Sequence, residues 1–294
     1  MKYKVGLIGF GFIGRAFAHG FHLHTDIKIY DKYNKYEKYD SLEDTVNQDI
    51  LFVNVPTPMH EDGNQDLSNV DDVIYNINKV ANKTKIIVIR TTVIPGTTRN
   101  YAEKYKEHSF IFNPEFLTQR SYKLDFINPS RIILGCKYPN ERYKPVDFVY
   151  DLYKSRFPHI PIYVTTWEGA EIVKYMSNTF FAVKIAFMNE MYEVAEKFGL
   201  KYNDLKDMFL ADGRIGNSHV DVPGHDGYKG YGGKCFPKDI QAFIKWAENC
   251  GLYLDMCKAA EKVNNRVREK KDWEDIKGAT SKNDYKSNAE GMKV

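Results

Sequence analysis

Cysteine is scarce: Cys136, Cys235, Cys250 and Cys257 are scattered, with no C-x-x-C pair among them. Neither a disulfide framework nor a zinc site is indicated, and a reducing, cytoplasmic setting is expected. No apolar run approaches the ~20 residues of a membrane span, and the N-terminus has no signal-peptide pattern. The net charge is only +3, from 42 basic and 39 acidic residues mixed along the chain, so no basic surface for nucleic acid is expected. Internal repeats and long low-complexity linkers are missing too. What is there is a 294-residue chain, 43% apolar and 28% charged, long enough for two domains with a sizeable core.

One stretch concentrates chemistry: Gly230-Tyr231-Gly232-Gly233-Lys234-Cys235-Phe236-Pro237-Lys238-Asp239. Its glycines allow positive φ and close approach to a ligand. Pro237 then sets φ for a first helical turn, continued by Ile240 to Phe243 at helical spacing. Cys235 is thus expected just ahead of a helix N-terminus with two lysines nearby, a placement that favours the thiolate. Taken alone, the same cysteine reads as a small buried residue before an amphipathic helix.

At the other end of the chain, the apolar run Lys4 to Ile8 leads into Gly9-Phe10-Gly11-Phe12-Ile13-Gly14 and a helical stretch. A second run, Ile27 to Tyr30, ends in Asp31, roughly 20 residues beyond Gly9, where the dinucleotide fingerprint places an acid. Glycines at this spacing let a pyrophosphate approach a helix N-terminus, and the acid binds ribose hydroxyls. Asp31 favours NAD over NADP, with Lys32 and Lys35 nearby as the counter-argument. Further runs at Ile50 to Val55, Ile86 to Thr91, Phe110 to Phe112 and Arg131 to Cys136 alternate with helical stretches. The pattern predicts a parallel, doubly wound, Rossmann-like sheet over residues 1–165. Three runs end in Val55-Pro56-Thr57-Pro58, Thr91-Thr92-Val93-Ile94-Pro95-Gly96-Thr97 and Asn113-Pro114-Glu115-Phe116-Leu117. Each alone reads as a rigid turn. Together, at the carboxyl ends of strands of one sheet, they point to a shared cleft.

After Ile162 to Val164 the period becomes helical. Trp167 to Gly199 can form one long helix of roughly 50 Å, apolar nearly all round from Tyr175 to Met191, so a second domain, a partner subunit or both should bury it. Lys174 and Asn178 share one face at i and i+4 and read as a polar clamp on a substrate oxygen; snorkelling of the lysine to solvent is the alternative. Lys184 projects roughly 80° away and is expected to serve another role. Helical stretches at Lys238 to Asn249 and Asp255 to Lys270 complete an all-α domain over residues 166–271. From Asp272 the chain turns polar and aperiodic, giving a polar tail over 272–294 that is expected to fray from Gly278 to Val294.

Gly9-x-Gly11-x-x-Gly14, Val55-Pro56-Thr57-Pro58, Asn113-Pro114-Glu115-Phe116-Leu117, Lys174-x-x-x-Asn178 and Gly232-Gly233-x-Cys235-x-Pro237-Lys238-Asp239 occur in one order. In this the chain resembles the UDP-glucose/GDP-mannose dehydrogenase family, from its start to about Arg268. The resemblance implies oxidation of a nucleotide sugar twice by NAD, UDP-glucose being the first expectation. It implies that Cys235 forms a thiohemiacetal and then a thioester, and that Lys174 and Asn178 stabilise an oxyanion. Asp239 and Thr92 would hold or activate water, and Glu115 would serve acid–base steps. The cofactor would lie on Gly9, Gly11, Phe12, Ile13, Gly14, Asp31, Val55, Pro56, Thr57 and Thr92. The substrate would lie on Glu115, Phe116, Leu117, Lys174, Asn178, Tyr231 and Gly232. Arg214 would reach a partner's substrate, which with the long helix implies at least a homodimer.

The chain departs from the family pattern in two places. Gln119 stands where the family has a carboxylate, so it can hydrogen-bond water but cannot take its proton. The family's third domain also has no counterpart in these residues. Two other readings compete: a two-electron β-hydroxyacid dehydrogenase, which also carries Lys-x-x-x-Asn, and a non-catalytic paralogue that binds NAD and dimerises.

Overall fold

The computed structural model describes residues 2–33, 39–141 and 143–283; Lys35 and the tail beyond Asn283 lie outside the described residues. The chain divides into two compact units, Met1–Thr57 with Asp66–Lys174, and Pro58–Gln65 with Tyr175–Val294. The division falls inside the long helix, whereas the change of period in the sequence lies near residue 165.

The first unit opens with β1 (Tyr3–Ile8), α1 (Phe12–Phe21), β2 (Thr25–Tyr30), α2 (Leu42–Val46), β3 (Ile50–Val53), α3 (Ser68–Val80) and β4 (Ile86–Ile89). It continues with α4 (Thr97–Lys104), β5 (Ser109–Phe112), α5 (Tyr122–Ile127), β6 (Ile132–Cys136), α6 (Lys144–Arg156) and β7 (Ile162–Thr166). The strands form one sheet in the order β2-β1-β3-β4-β5-β6-β7. Val5, Leu7, Phe52, Ile111 and Leu134 pack on one face, and Ile8, Leu51, Val53, Ile87 and Phe112 on the other. Burial on both faces explains why these strands read as unbroken apolar runs rather than alternating ones.

The wholly parallel sheet expected from the sequence holds only in part. The pairs up to β4–β5 are parallel, but β5 meets β6 antiparallel at Phe112 and Gly135, and β7 is parallel to β6. The link from β5 to β6 carries only the six-residue α5, and a parallel neighbour needs a full crossover connection. The winding direction reverses between β1 and β3, so their carboxyl ends open a crevice of the kind that binds dinucleotides.

α7 (Trp167–Lys197) runs for 31 residues, as the uninterrupted stretch predicts. In the second unit it is followed by α8 (Tyr202–Leu210), α9 (Phe236–Asn249) and α10 (Asp255–Val267). Ala182, Ala186, Tyr231, Ile240, Ile244 and Ala260 form its core. Within this single chain α7 is buried over only part of its surface. Met176, Phe180, Phe187, Met191 and Val194 stay exposed, Phe180 by 61%.

Part of the stretch expected to fray is ordered among the described residues. Short 3-10 turns form at Asp272–Glu274 and Ser281–Asn283, and Trp273, Ile276 and Ala279 pack with Met59. Met59 N donates to Ala279 O at 3.0 Å and Ser281 N to Met59 O at 2.9 Å. One large apolar residue, Trp273, supplies enough buried surface to order a polar, aperiodic stretch.

Candidate active site

The first unit builds its ligand surface where α1 begins. Gly9 follows β1 at φ +88°, and a Cβ there would lie 2.9 Å from the Asn54 backbone. A Cβ at Gly14 would lie 2.4 Å from Gly9 O. Gly11 caps α1 and, lacking a side chain, makes no cap bond of its own, and a Cβ on Gly11 would meet nothing within 4 Å. The first glycine makes the turn, the last packs helix on strand, and the middle one opens a space beside the N–H groups of Phe12 and Ile13. That cradle fits an NAD pyrophosphate. Asp31 Oδ2 accepts the Phe10 N–H at 2.6 Å and Oδ1 the Tyr33 N–H at 3.0 Å, so its carboxylate is fixed beside the loop.

The loops after β3 and β4 are tied together. Thr91 Oγ1 donates to Val55 O at 2.6 Å, Thr57 Oγ1 to Thr92 O at 3.0 Å, and Asn69 Nδ2 to Pro56 O at 3.3 Å. Thr57 and Thr92 are buried. The hydroxyls that flag these turns in the sequence thus serve first to lock one turn on the next.

After β5, Glu115 and Lys174 form a buried ion pair at 3.3 Å, their side chains 4% and 5% exposed respectively. Glu115 Oε2 also accepts the Leu117 N–H at 2.7 Å. Lys174 Nζ stands 5.3 Å from the Phe116 ring centroid, and the Arg131 guanidinium 4.2 Å from the same ring. Asn113 bridges strands: its Nδ2 donates to Ile133 O at 2.9 Å, and its Oδ1 accepts from Tyr153 OH at 2.5 Å. Gln119 is exposed. The sequence reading missed Glu171, which is fully buried and accepts from Gly96 N (2.7 Å), Thr98 N (2.9 Å) and Thr98 Oγ1 (2.6 Å) at the start of α4. Burial pushes its carboxyl up to about 7 against those bonds. Its signal was available: an acid one helical turn before Lys174 in an apolar helix.

In the second unit Cys235 is the residue that caps α9, and it is half-buried. Its carbonyl accepts the Asp239 N–H at 3.0 Å. Asp239 is buried, with Oδ2 accepting from Asn178 Nδ2 at 2.6 Å and Oδ1 from Lys238 Nζ at 2.5 Å. Asn178, Asp239 and Lys238 therefore form one cluster, and the Lys238 charge expected to favour the thiolate is directed onto Asp239.

The glycines before Cys235 act differently from the expectation of a close ligand approach. Gly230 and Gly233 take positive φ, at 71° and 74°. A Cβ on Gly232 would lie 2.2 Å from Arg268 Nη2 and 2.3 Å from Asp272 Oδ1, so this glycine makes room for the protein itself. Arg268, its side chain 1% exposed, bonds to Asp226 at 2.8 Å and to Asp272 at 2.7 Å. Asp272 in turn accepts the Gly233 N–H at 3.0 Å. Asn264 holds Tyr231 by both backbone groups, at 2.6 and 3.0 Å, and Asn189 accepts the Gly230 N–H at 3.0 Å. Tyr231 lies in the core with its hydroxyl unpartnered among the described residues. Arg214 is 89% exposed and held by Asp212 through Nε at 2.9 Å and Nη2 at 2.5 Å. Lys184 donates to Gly216 O at 2.5 Å, away from Asn178, as its helical phase predicts.

Residues 32–156 match the NAD binding domain of the UDP-glucose/GDP-mannose dehydrogenase family, and residues 168–266 match that family's central domain. The chain belongs to this family. The UDP-glucose 6-dehydrogenase of Rickettsia prowazekii is 37% identical to it over 226 residues, which cover 74% of this chain and 49% of that protein. The chain thus spans about half the length of the curated dehydrogenases it matches. A UDP-glucose dehydrogenase structure from the archaeon Pyrobaculum islandicum superposes with a TM-score of 0.79 at 29% identity, covering 90% of this chain and 68% of that one. The 3-hydroxyisobutyrate dehydrogenase of Mycobacterium tuberculosis covers 100% of both chains at a TM-score of 0.72; at 13% identity this likeness concerns the fold alone.

As a member of this dehydrogenase family, the chain takes NAD as its cofactor. Among the described residues, no helix is long and apolar enough to cross a membrane. Within the first unit, the predicted residues fall into two groups: the Gly9 to Gly14 loop with Asp31, and the Glu115–Lys174 pair with Phe116. Within the second, Asn178 and Asp239 come together one turn into α9 from Cys235, while Arg214 stands on the surface and Tyr231 in the core.

Proposed function

We propose that this chain oxidises the primary alcohol of a nucleotide sugar, UDP-glucose first among them, to a carboxylate in two steps, with Cys235 as the covalent nucleophile. NAD, when bound, supplies the hydride acceptor for each step. The carrying observation is the half-buried Cys235 at the cap of α9, next to a buried carboxylate, amide and ammonium.

In this reading Cys235 Sγ adds to the aldehyde carbon, and the resulting alkoxide takes a proton to give a thiohemiacetal. Loss of the second hydride leaves a thioester, and water cleaves the C–S bond to release the acid and the thiol. The overall balance is one alcohol and one water to one carboxylate, with two NAD reduced and three protons released. A thiol rather than a hydroxyl suits this step because its anion is accessible near neutral pH, and the α9 N-terminus favours that anion. Lys174 and Asn178 are assigned to the oxyanion, where a fixed charge in a dry site is most effective. Glu115, ion-paired to Lys174, is assigned the proton of the alcohol. Asp239, with Thr92, is assigned to hold the hydrolytic water. Lys238 fixes the Asp239 carboxylate in place, and Gln119 offers that water only a hydrogen bond.

The cofactor reading places the pyrophosphate on Gly11, Phe12 and Ile13, the adenine ribose on Asp31, and the nicotinamide side near Val55, Pro56, Thr57 and Thr92. Phe116 and Leu117 are assigned to the sugar. The apolar stripe of α7 from Met176 to Val194 supports a homodimer, in which exposed Arg214 would serve the partner's substrate; Arg214→Ala is then expected to raise KM more than it lowers kcat.

The test is NADH formation, followed by absorbance, with UDP-glucose, UDP-N-acetylmannosamine and GDP-mannose. Turnover with one of the three identifies the sugar. NAD binding without turnover on any of them, or turnover of a β-hydroxyacid instead, refutes the assignment.

A further inference from the structure

Arg90 follows β4 and is buried, with 3% of its surface exposed. Its guanidinium carbon lies 5.7 Å from the Phe17 ring centroid and 5.4 Å from that of Phe126. Nε and Nη1 are sealed from solvent with no hydrogen-bond partner among the described residues. A guanidinium does not lose its proton at any physiological pH, so burial here cannot be relieved by neutralisation. Ring faces compensate part of the charge, but buried cations are otherwise paired.

The carboxylates nearest at hand are engaged elsewhere. Arg90 lines a cavity of about 310 Å³ that also has Glu115 and Asp125 in its wall. Glu115 is held by Lys174 and the Leu117 N–H. Asp125 accepts from Thr118 N at 2.7 Å, Thr118 Oγ1 at 2.6 Å and Ser121 Oγ at 2.9 Å. Burial works to raise its carboxyl, and those bonds together hold it below the usual range. A second guanidinium, Arg131, lines the same space, and Phe116, Phe126 and Phe157 give it aromatic walls. The volume is at the low end for small-molecule sites.

We infer that this cavity is a binding site for a small organic acid, whose carboxylate or phosphate sits against Arg90 and whose carbon skeleton packs on the phenylalanine walls. The delocalised guanidinium charge serves an anion along any open edge, and aromatic walls select a compact, partly apolar body over a free inorganic ion. The site lies wholly in the first unit and shares Glu115, Phe116 and Leu117 with the residues assigned above to the sugar, and binding there is measurable without any nucleotide sugar.

The test uses the full chain in thermal unfolding and titration calorimetry with benzoate, phenyl phosphate and uncharged benzamide, at ionic strength fixed with chloride. At ten times its Kd one of the two acids should raise Tm by about 3 °C, and whichever acts identifies the head group; benzamide should do nothing. Arg90→Gln should abolish the response, and Arg90→Lys should keep part of it. If Arg90→Gln fails to fold by circular dichroism, Ser130→Trp, at the cavity wall with Arg90 intact, should abolish it instead. No response of the wild type to either acid, an equal response to benzamide, or a response that survives both Arg90→Gln and Ser130→Trp would overturn the assignment.

Discussion

The two glycine-rich loops of this protein look alike in sequence and differ in use. At Gly9 to Gly14 the middle glycine borders open space at a helix N-terminus whose cap residue has no side chain. At Gly232 the space a Cβ would fill is already taken by Arg268 and Asp272, and at Gly230 by Asn264; the loop is held by Asn189, Asn264 and Asp272. One loop is built to receive something; the other is built to be held, so that Cys235 is fixed in place. A third helix start, at α4, follows the second pattern, since the protein's own Glu171 occupies it. Glycine spacing alone does not separate an anion cradle from a clamp; what fills the missing Cβ does.

The largest expected effect breaks the held loop. Arg268→Ala leaves Asp226 and Asp272 without their cation and opens a cavity, and should cost about 3 kcal/mol in urea unfolding. Cys235 alkylation should become faster in the same variant. Gly232→Ala should come next, about 1–3 kcal/mol from the overlap with Arg268, with the same gain in alkylation. A loop that received a ligand instead would lose binding in that variant and keep its stability.

Glu171 sharpens the comparison through pH. Its folded-state pKa, about 7, is raised above the ordinary value of 4.5. The folded protein therefore holds the proton longer than the unfolded chain, and this group's contribution to stability falls as pH rises from ~4.5 to 7. Replacing it by glutamine should flatten that part of the stability profile, a change of at most about 3 kcal/mol across the window. Gly11→Ala should give the smallest change in stability, within ~0.5 kcal/mol, yet weaken NAD binding about tenfold in fluorescence titration, about 1.4 kcal/mol.

Strand runs, the glycine fingerprint with Asp31, and the long helix were legible because each is a local pattern: apolar runs, fixed spacing, and no proline or glycine between Gly169 and Lys197. The pairings were not. Glu115 meets Lys174 across 59 residues and Asn178 meets Asp239 across 61, and such meetings depend on topology rather than on spacing. For the same reason the burial of Arg268, near the end of a helix in a polar stretch, leaves no local mark. The antiparallel turn of β6 was hidden because strand direction leaves no mark in composition. Trp273 shows the limit of periodicity as a guide to order: one buried ring and its contact with Met59 organise a stretch that has no period.

The central claim is that Cys235 carries the second oxidation. The most direct measurement is the number of NADH formed per UDP-glucose consumed, for the wild type and for Cys235→Ser. The account predicts two for the wild type, and for the variant no acid product and turnover reduced by at least ~100-fold. One NADH per sugar, unchanged by the substitution, would contradict it.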